Sequence, residues 1–436
     1  MHAGPKDALP AMLMTSAAPP THSRFFGVRV VRAAFVLAAF GWGVGFYGPP
    51  IYLHAVVVRT GWSVTLVSAA VTLHFLSGVL VVANLPRLHA RVGVSATIAG
   101  GSMITAAGVA GWALAEQPWQ LFAAAVVSGA GWVSLGAVAV NAVVSPWYVR
   151  TRPIAMAKAY NGASIGGVVF SPLWVALIDR LGFAGAAAVV GVTMVSVLAL
   201  LARDVFRHTP ENLGQPPDGD GGPAPALHIV VEERGSLPGG LLWRDRAFLT
   251  LAVAMAIGLF AQIGLLAHLF SLLTPVFGAQ AAGLVMGGAT ACAIAGRMVA
   301  SRLLQHVDER RIVAAAGYAV QALGSIVLLL GNGGQGAMIV VGVVLFGCGI
   351  GNATSLPPLI AQTDFARKDV PRVVALIVAS GQATYAFAPA LFGLLLAASG
   401  GRGDAVIGTH STVLFAIAAF LQLAAGAIFL AGRRRH

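Results

Sequence analysis

Apolar residues in this chain come in long blocks, and polar residues gather in short clusters between them. The blocks run over about 30–57, 64–86, 94–115, 119–144, 153–179 and 183–202, and again over about 247–274, 280–304, 311–330, 335–360, 371–398 and 411–431. A helix needs about 20 apolar residues to cross the hydrocarbon of a bilayer, so each block predicts one transmembrane helix. The expected fold class is an all-α integral membrane protein, with twelve transmembrane helices in two six-helix pseudo-symmetric bundles. The bundles are placed at 29–202 and 247–431. Between them, 203–246 is dense in Pro, Gly and charge and predicts a mobile linker. Residues 1–28, rich in Ala, Pro, Ser and Thr, predict a disordered tail, and 432–436 form a short basic tail. Within the first block, AFGWGVGFYGPP combines glycines that allow close helix contact with Pro49 and Pro50, expected to bend or end that helix.

Composition agrees with this pattern. Hydrophobic residues make up 58% of the 436 and charged residues only 10%, against about 25% charged in a soluble domain. The net charge of +12 is unevenly spread. With alternate loops assigned inside, starting from the N-terminal tail, the outside keeps only Arg59, Arg180 and Arg402, balanced by Glu116, Asp179 and Asp404. The whole surplus then lies on one side, as the positive-inside rule requires, and both termini are expected in the cytoplasm. A nucleic-acid surface would need basic patches on a folded domain, so no nucleic-acid partner is expected. The two cysteines, Cys292 and Cys348, fall in apolar blocks and read as small packing residues. Trp62, Trp119, Trp147 and Trp243 fall near predicted helix ends, where interface anchoring explains them.

The halves carry weak internal repeats. Asn141 stands before Pro146 at the spacing with which Asn352 stands before Pro357. Ser171-Pro172 in the fifth block matches Ala388-Pro389 in the eleventh, and NLPRLHARVG after the second block matches ASRLLQHVDERR after the eighth. Together they support two parallel halves with a binding site near the midplane between them.

The strongest chemical signal is Arg297, in AGRMVASRLLQHVDERR from Ala295 to Arg311. Asp308, Glu309, Arg310 and Arg311 read as a solvated turn. Arg297 instead sits several residues inside an apolar helix, and a guanidinium cannot lose its charge. Such a residue costs about 2.5–3.5 kcal/mol at a helix centre, and less near an end where it snorkels. It is expected either to face a cavity and bind an anion or to reach the nearby interface.

At the two matching turns the chain resembles the major facilitator superfamily, whose turn motif is G-x-L-x-D-R-x-G. Pro86, Leu88, Ala90, Arg91 and Gly93 stand in the first copy; Ser301, Leu303, Gln305 and His306 stand in the second, and both copies lack the Asp. A narrower resemblance is to the monocarboxylate-transporter-like branch. It rests on Phe46-Tyr47-Gly48, on Gly61-Trp62-Ser63, and on Trp147, Tyr148, Arg152, Ala155, Gly162, Gly166, Gly167 and Pro172. That branch and the related oxalate–formate exchanger bind a substrate carboxylate with an arginine of the eighth helix, a place that Arg297 matches by its spacing to the following turn. Ala293 stands where animal members carry an acidic residue.

Other polar positions are weighed as site or packing. Gln382 and Tyr385 share a helix face, as do Asn161 and Ser164; Tyr47 is a further hydrogen-bond donor. His74 and His268 lie inside apolar blocks and are candidates for a proton-linked role. No Asp or Glu sits mid-helix, which disfavours a carboxylate relay. The function expected is secondary transport of a small organic anion, a carboxylate, by proton symport or anion exchange. Arg297, Tyr385, Gln382, Tyr47 and Asn161 would contact the substrate, and no cofactor, metal or catalytic residue is expected. The lipid bilayer is the expected surround, a bacterial inner membrane, and a monomer the expected working unit. The alternatives are a drug or metabolite exporter of the same superfamily and a non-transporting sensor. Gln120 to Val144 holds no arginine and Gly162 to Pro172 no Gly-Pro pair, so the exporter signature is missing. No G-x-x-x-x-G-K-[ST] loop supports ATP drive.

Overall fold

The computed structural model describes residues 25–82, 84–219, 241–307, 309–331, 335–366, 368–399 and 411–433. The predicted tail at 1–28 falls almost wholly outside the described residues, as do Asp308, Arg402, Asp404, Arg434 and Arg435 and the middle of the linker. All regular structure among the described residues is helical. A backbone in hydrocarbon has no water to bond, so it must satisfy itself, and a helix does so within one segment.

Among the described residues, eleven helical stretches are long and apolar enough to cross a membrane. One of them, Arg152–Phe206, is too long for a single crossing. It turns at Gly182, whose φ of 69° and ψ of 169° lie outside the helical range. That left-handed φ suits glycine. Dividing the helix there gives a fifth span at 152–181, a sixth at 183–206, and twelve in all. The others are Gly27–Thr60, Val64–Val82, Val94–Leu114, Pro118–Trp147, Arg246–Phe277, Ala279–Leu303, Arg310–Leu330, Gly336–Asp364, Val370–Ala398 and Thr412–Ala431.

Three spans are broken. The fourth is broken between Trp132 and Ala137, where Gly136 has φ −86° and ψ −159°. The first consists of Gly27–Gly45 and Gly48–Thr60, with the break at Phe46 and Tyr47. The expected interruption thus falls just before Pro49 and Pro50, which sit in the first turn of the second piece, where an N–H has no intrahelical partner to lose. The eleventh consists of Val370–Tyr385 and Ala388–Ser399. Pro389, which lacks an N–H, follows that break.

The first six spans pack as one bundle and the last six as another. Three pairs of spans join them: fifth with eighth, second with eleventh, first with seventh. Among the described residues, the side-chain contacts that join these pairs lie in the half of the molecule away from the linker or near its middle. His54 meets the Phe270 ring edge-on at 5.1 Å. Ser68 lies against Gly393, and the Thr72 hydroxyl accepts from the Ala390 N–H at 3.0 Å. Gly283 lies against Pro172 and Val175. The apolar core follows the same division. One cluster joins the first bundle to Leu266, Phe270, Met286 and Phe392 of the second. A separate cluster, including Met255, Val313, Leu356, Ile377 and Phe429, fills the linker-side half of the second bundle alone. The bundles are thus sealed on the far side and parted on the linker side.

Three expectations fail here, each for a local reason. Arg311 is not in a solvated turn: its side chain is 3% exposed and pairs with Asp364 at 2.8 Å. It also donates to Thr250 Oγ1 at 3.1 Å and to the Ala247 carbonyl at 2.8 Å. The linker is partly docked. The Asp218 carboxylate accepts from the backbone N–H of Val149, Arg150 and Thr151 and from the Thr151 hydroxyl, at 2.6–3.1 Å. Asp218 has φ 61°, a conformation that Asp tolerates better than most residues. Trp147 is 1% exposed, packed on Phe25 and Phe26, so it is core and not an interface anchor.

A cationic site between the two bundles

Arg297 lies on the eighth span, six residues from its linker-side end at Leu303. Side chains on a helix lean toward its N-terminus, which for this span is the far side. The guanidinium accordingly runs inward, away from the nearer interface. Its Nη2 donates to the Ser164 hydroxyl of the fifth span. Ser164 stands about 18 Å along that helix from its linker-side start, at 1.5 Å per residue, hence near the midplane. The snorkelling direction is therefore not the one adopted.

Glycines make the path. A Cβ on Gly351 of the tenth span would stand 2.7 Å from Arg297 Cγ and 2.8 Å from its Nε, so the stem of the arginine lies over a bare backbone. On the fifth span, a Cβ at Gly167 would meet Tyr47 Cε2 and Thr290 Cγ2, each at 2.7 Å. Tyr47 is 5% exposed, packs edge-on to Phe46, and lies within electrostatic reach of Arg297. The site thus joins Arg297 and Thr290 of the eighth span, Ser164 and Gly167 of the fifth, and Tyr47 at the break of the first. Among the described residues no carboxylate pairs with Arg297.

The other sequence candidates divide. Tyr385 is half-buried and meets Phe75 of the second span edge-on at 5.8 Å; Gln382, one turn away, is half-buried. Asn161 is exposed, one turn nearer the linker side than Ser164. His74 has Nδ1 2.8 Å from Ser128 Oγ and Nε2 2.9 Å from the Gly45 carbonyl. A carbonyl only accepts, so Nε2 carries the proton, and the neutral ring has both nitrogens occupied. His268 bonds the Pro389 carbonyl at 3.0 Å through Nε2, while its Nδ1 is buried without a partner. Neither histidine touches Arg297. Thr290 and Gly351 escaped the sequence reading, because their place depends on which helices meet.

The sequence profile of the Major Facilitator Superfamily matches residues 33–365. The chain belongs to the Major Facilitator Superfamily. It is therefore a membrane transporter and not an enzyme. Solved structures of the superfamily share its fold. The nucleoside transporter NupG aligns over 94% of this chain and 100% of its own, with TM-score 0.69 and 11% identity. The D-xylose–proton symporter aligns over 93% and 97%, with TM-score 0.71 and 13% identity. A bacterial homolog of the human lysosomal transporter Spinster, inward-facing and unoccupied, aligns over 95% and 99%, with TM-score 0.65 and 15% identity. At such identities the likeness speaks for the superfamily fold alone. No curated protein sequence matches this one.

Proposed function

We propose that this superfamily member is a secondary transporter of a small carboxylate, moved by alternating access with a proton or against a second anion. The observation that carries the reading is Arg297: a permanent cation near the midplane, aimed into the junction of the bundles, with a neutral serine as its hydrogen-bond partner. An unpaired buried charge is costly. A carboxylate offers what is missing, since a guanidinium donates two parallel hydrogen bonds to it. Tyr47 and Thr290 beside it, and Gln382 and Tyr385 across the parted half, would set the size of the substrate. The basic surplus supports a cytoplasmic linker side, and on that reading the conformation opens inward.

A thermal-shift screen of the purified protein tests this. Small monocarboxylates should raise the melting temperature, because a ligand that binds only the native state stabilises it. The matching neutral amides should not. Stabilisation by amides and carboxylates alike would sink the anion reading.

A further inference from the structure

A second basic feature lies outside that junction. The linker-side ends of the first and fifth spans part around a cavity of about 710 Å³. One wall is apolar, formed by Val28, Phe35, Val36 and Ile154; Tyr148 and Thr151 also line it, and two cations border it, Arg32 and Lys158. No residue of the second bundle lines it. Its side of the fifth span is also distinct: Lys158 and Gly167 are separated by about two and a half turns, so they face opposite ways. Gly167 faces Tyr47 and Thr290; Lys158 faces away from the transport junction. Arg32 and Lys158 are both exposed and pair with no carboxylate among the described residues. They lie about 8–9 Å inside their helix starts at 1.5 Å per residue, near the depth at which phosphates meet acyl chains. The charged neighbours are accounted for. Arg29 is exposed, with its guanidinium over the Phe26 ring, and the Asp218 carboxylate is engaged by Thr151 and three backbone N–H groups.

We infer that this groove binds an anionic phospholipid of the linker-side leaflet, with its phosphate between Arg32 and Lys158 and an acyl chain along the apolar wall. The chemistry fits both ends of that ligand. Basic pockets between membrane helices attract anionic headgroups, and a buried chain replaces a greasy gap that water would fill poorly. A soluble carboxylate would use the cations but leave the wall empty. The inference needs only that the chain spans a membrane, so it stands or falls apart from the substrate reading.

The test is lipid retention by the full chain, extracted from bilayers of equal phosphatidylglycerol and phosphatidylcholine and examined by native mass spectrometry. Wild type should retain phosphatidylglycerol preferentially. Arg32→Gln or Lys158→Gln should each lower that preference about fivefold and the double variant about thirtyfold, at the usual strength of one cation near a charged surface. The charge-preserving pair Arg32→Lys with Lys158→Arg should keep it, as should Arg302→Gln, which removes an exposed arginine of the other bundle. A double variant that keeps the preference would overturn the inference. So would loss in the Arg302→Gln control, or loss in the charge-preserving pair. If the double variant keeps the lipid preference but loses binding of the carboxylates that stabilise wild type, the groove belongs to the substrate path instead.

Discussion

Two arginines of one sequence stretch show how position alone divides a residue's fate. Arg311 enters the second bundle with its hydrogen bonds to Asp364, Thr250 and the Ala247 carbonyl in place; Arg297 enters the junction with a serine. Removing Arg311 takes away its 2.8 Å ion pair with Asp364, whose side chain is 20% exposed, together with the hydrogen bonds to Thr250 and Ala247. Arg311→Ala should therefore cost about 3 kcal/mol of stability, read as a lower melting temperature and a lower yield of folded protein. Arg302→Ala, on an exposed side chain, should change it by less than about 0.5 kcal/mol. Gly351→Ala tests the seat of Arg297. A methyl there would meet the Ala293 carbonyl at 2.6 Å as well as the arginine stem, so the eighth and tenth spans must part. Both the melting temperature and carboxylate affinity should then fall, the latter about tenfold or more, as a thermal scan beside a binding titration would show. Arg297 was legible in the sequence because a charge inside an apolar run is conspicuous. Arg311 was not, because a first-turn arginine beside other charges looks the same whether it faces water or a partner 53 positions away.

At the scale of elements, hydropathy located every span, since lipid permits no irregular backbone facing it. Pro49 and Pro50 marked the break beside Phe46-Tyr47, but nothing in the hydropathy showed the one at Ala386-Phe387, which needs contacts between helices to hold it. The second break has such a contact: the N–H of Ala390, in the first turn after it, donates across the bundle junction to Thr72. That hydrogen bond belongs to the conformation sealed on the far side and must open if the bundles rock. Thr72→Val keeps the shape and removes the acceptor, and a net hydrogen bond is worth about 0.5–1.5 kcal/mol. The ratio of far-side-closed to far-side-open protein should fall about two- to tenfold. Spin labels at Ser63 and Ala398, on the far ends of the second and eleventh spans, with Cys292 and Cys348 replaced by Ala, should report a larger share of long distances. An unchanged distance distribution would show that this bond does not hold the seal.

At the scale of the whole molecule, composition described the linker as mobile, yet one of its carboxylates is docked on the loop before the fifth span. Burial alone would raise the Asp218 carboxyl, but the Thr151 hydroxyl and the N–H groups of Arg150, Thr151 and Val149 outweigh it and hold it below the usual carboxylate range. A depressed value means that the docking is fully present above about pH 4 and fades only as pH falls through the lower folded value. Protection of the Val149, Arg150 and Thr151 amides from hydrogen exchange, corrected for intrinsic rate, should thus stay level between about pH 5 and 8. Asp218→Ala should abolish it throughout that range. Deletions that include Asp218 should free this loop, whereas composition alone predicted a mobile linker.

The proposed binding site is where the scales meet, because Arg297 acts as a site only if two bundles, a bare Gly351 and an apolar surround leave its charge without a carboxylate among the described residues. The most direct measurement is the affinity of a stabilising carboxylate, and of its neutral amide, for the purified wild type and for Arg297→Lys and Arg297→Ala, each checked for correct folding. The carboxylate should bind wild type best. Lysine keeps the charge without the planar fork, so affinity should fall about tenfold, and with alanine it should fall about a hundredfold, since charge-assisted hydrogen bonds contribute about 1.5–3 kcal/mol each. The amide should discriminate little among the three. A well-folded Arg297→Ala protein that bound the carboxylate as tightly as wild type would contradict the account.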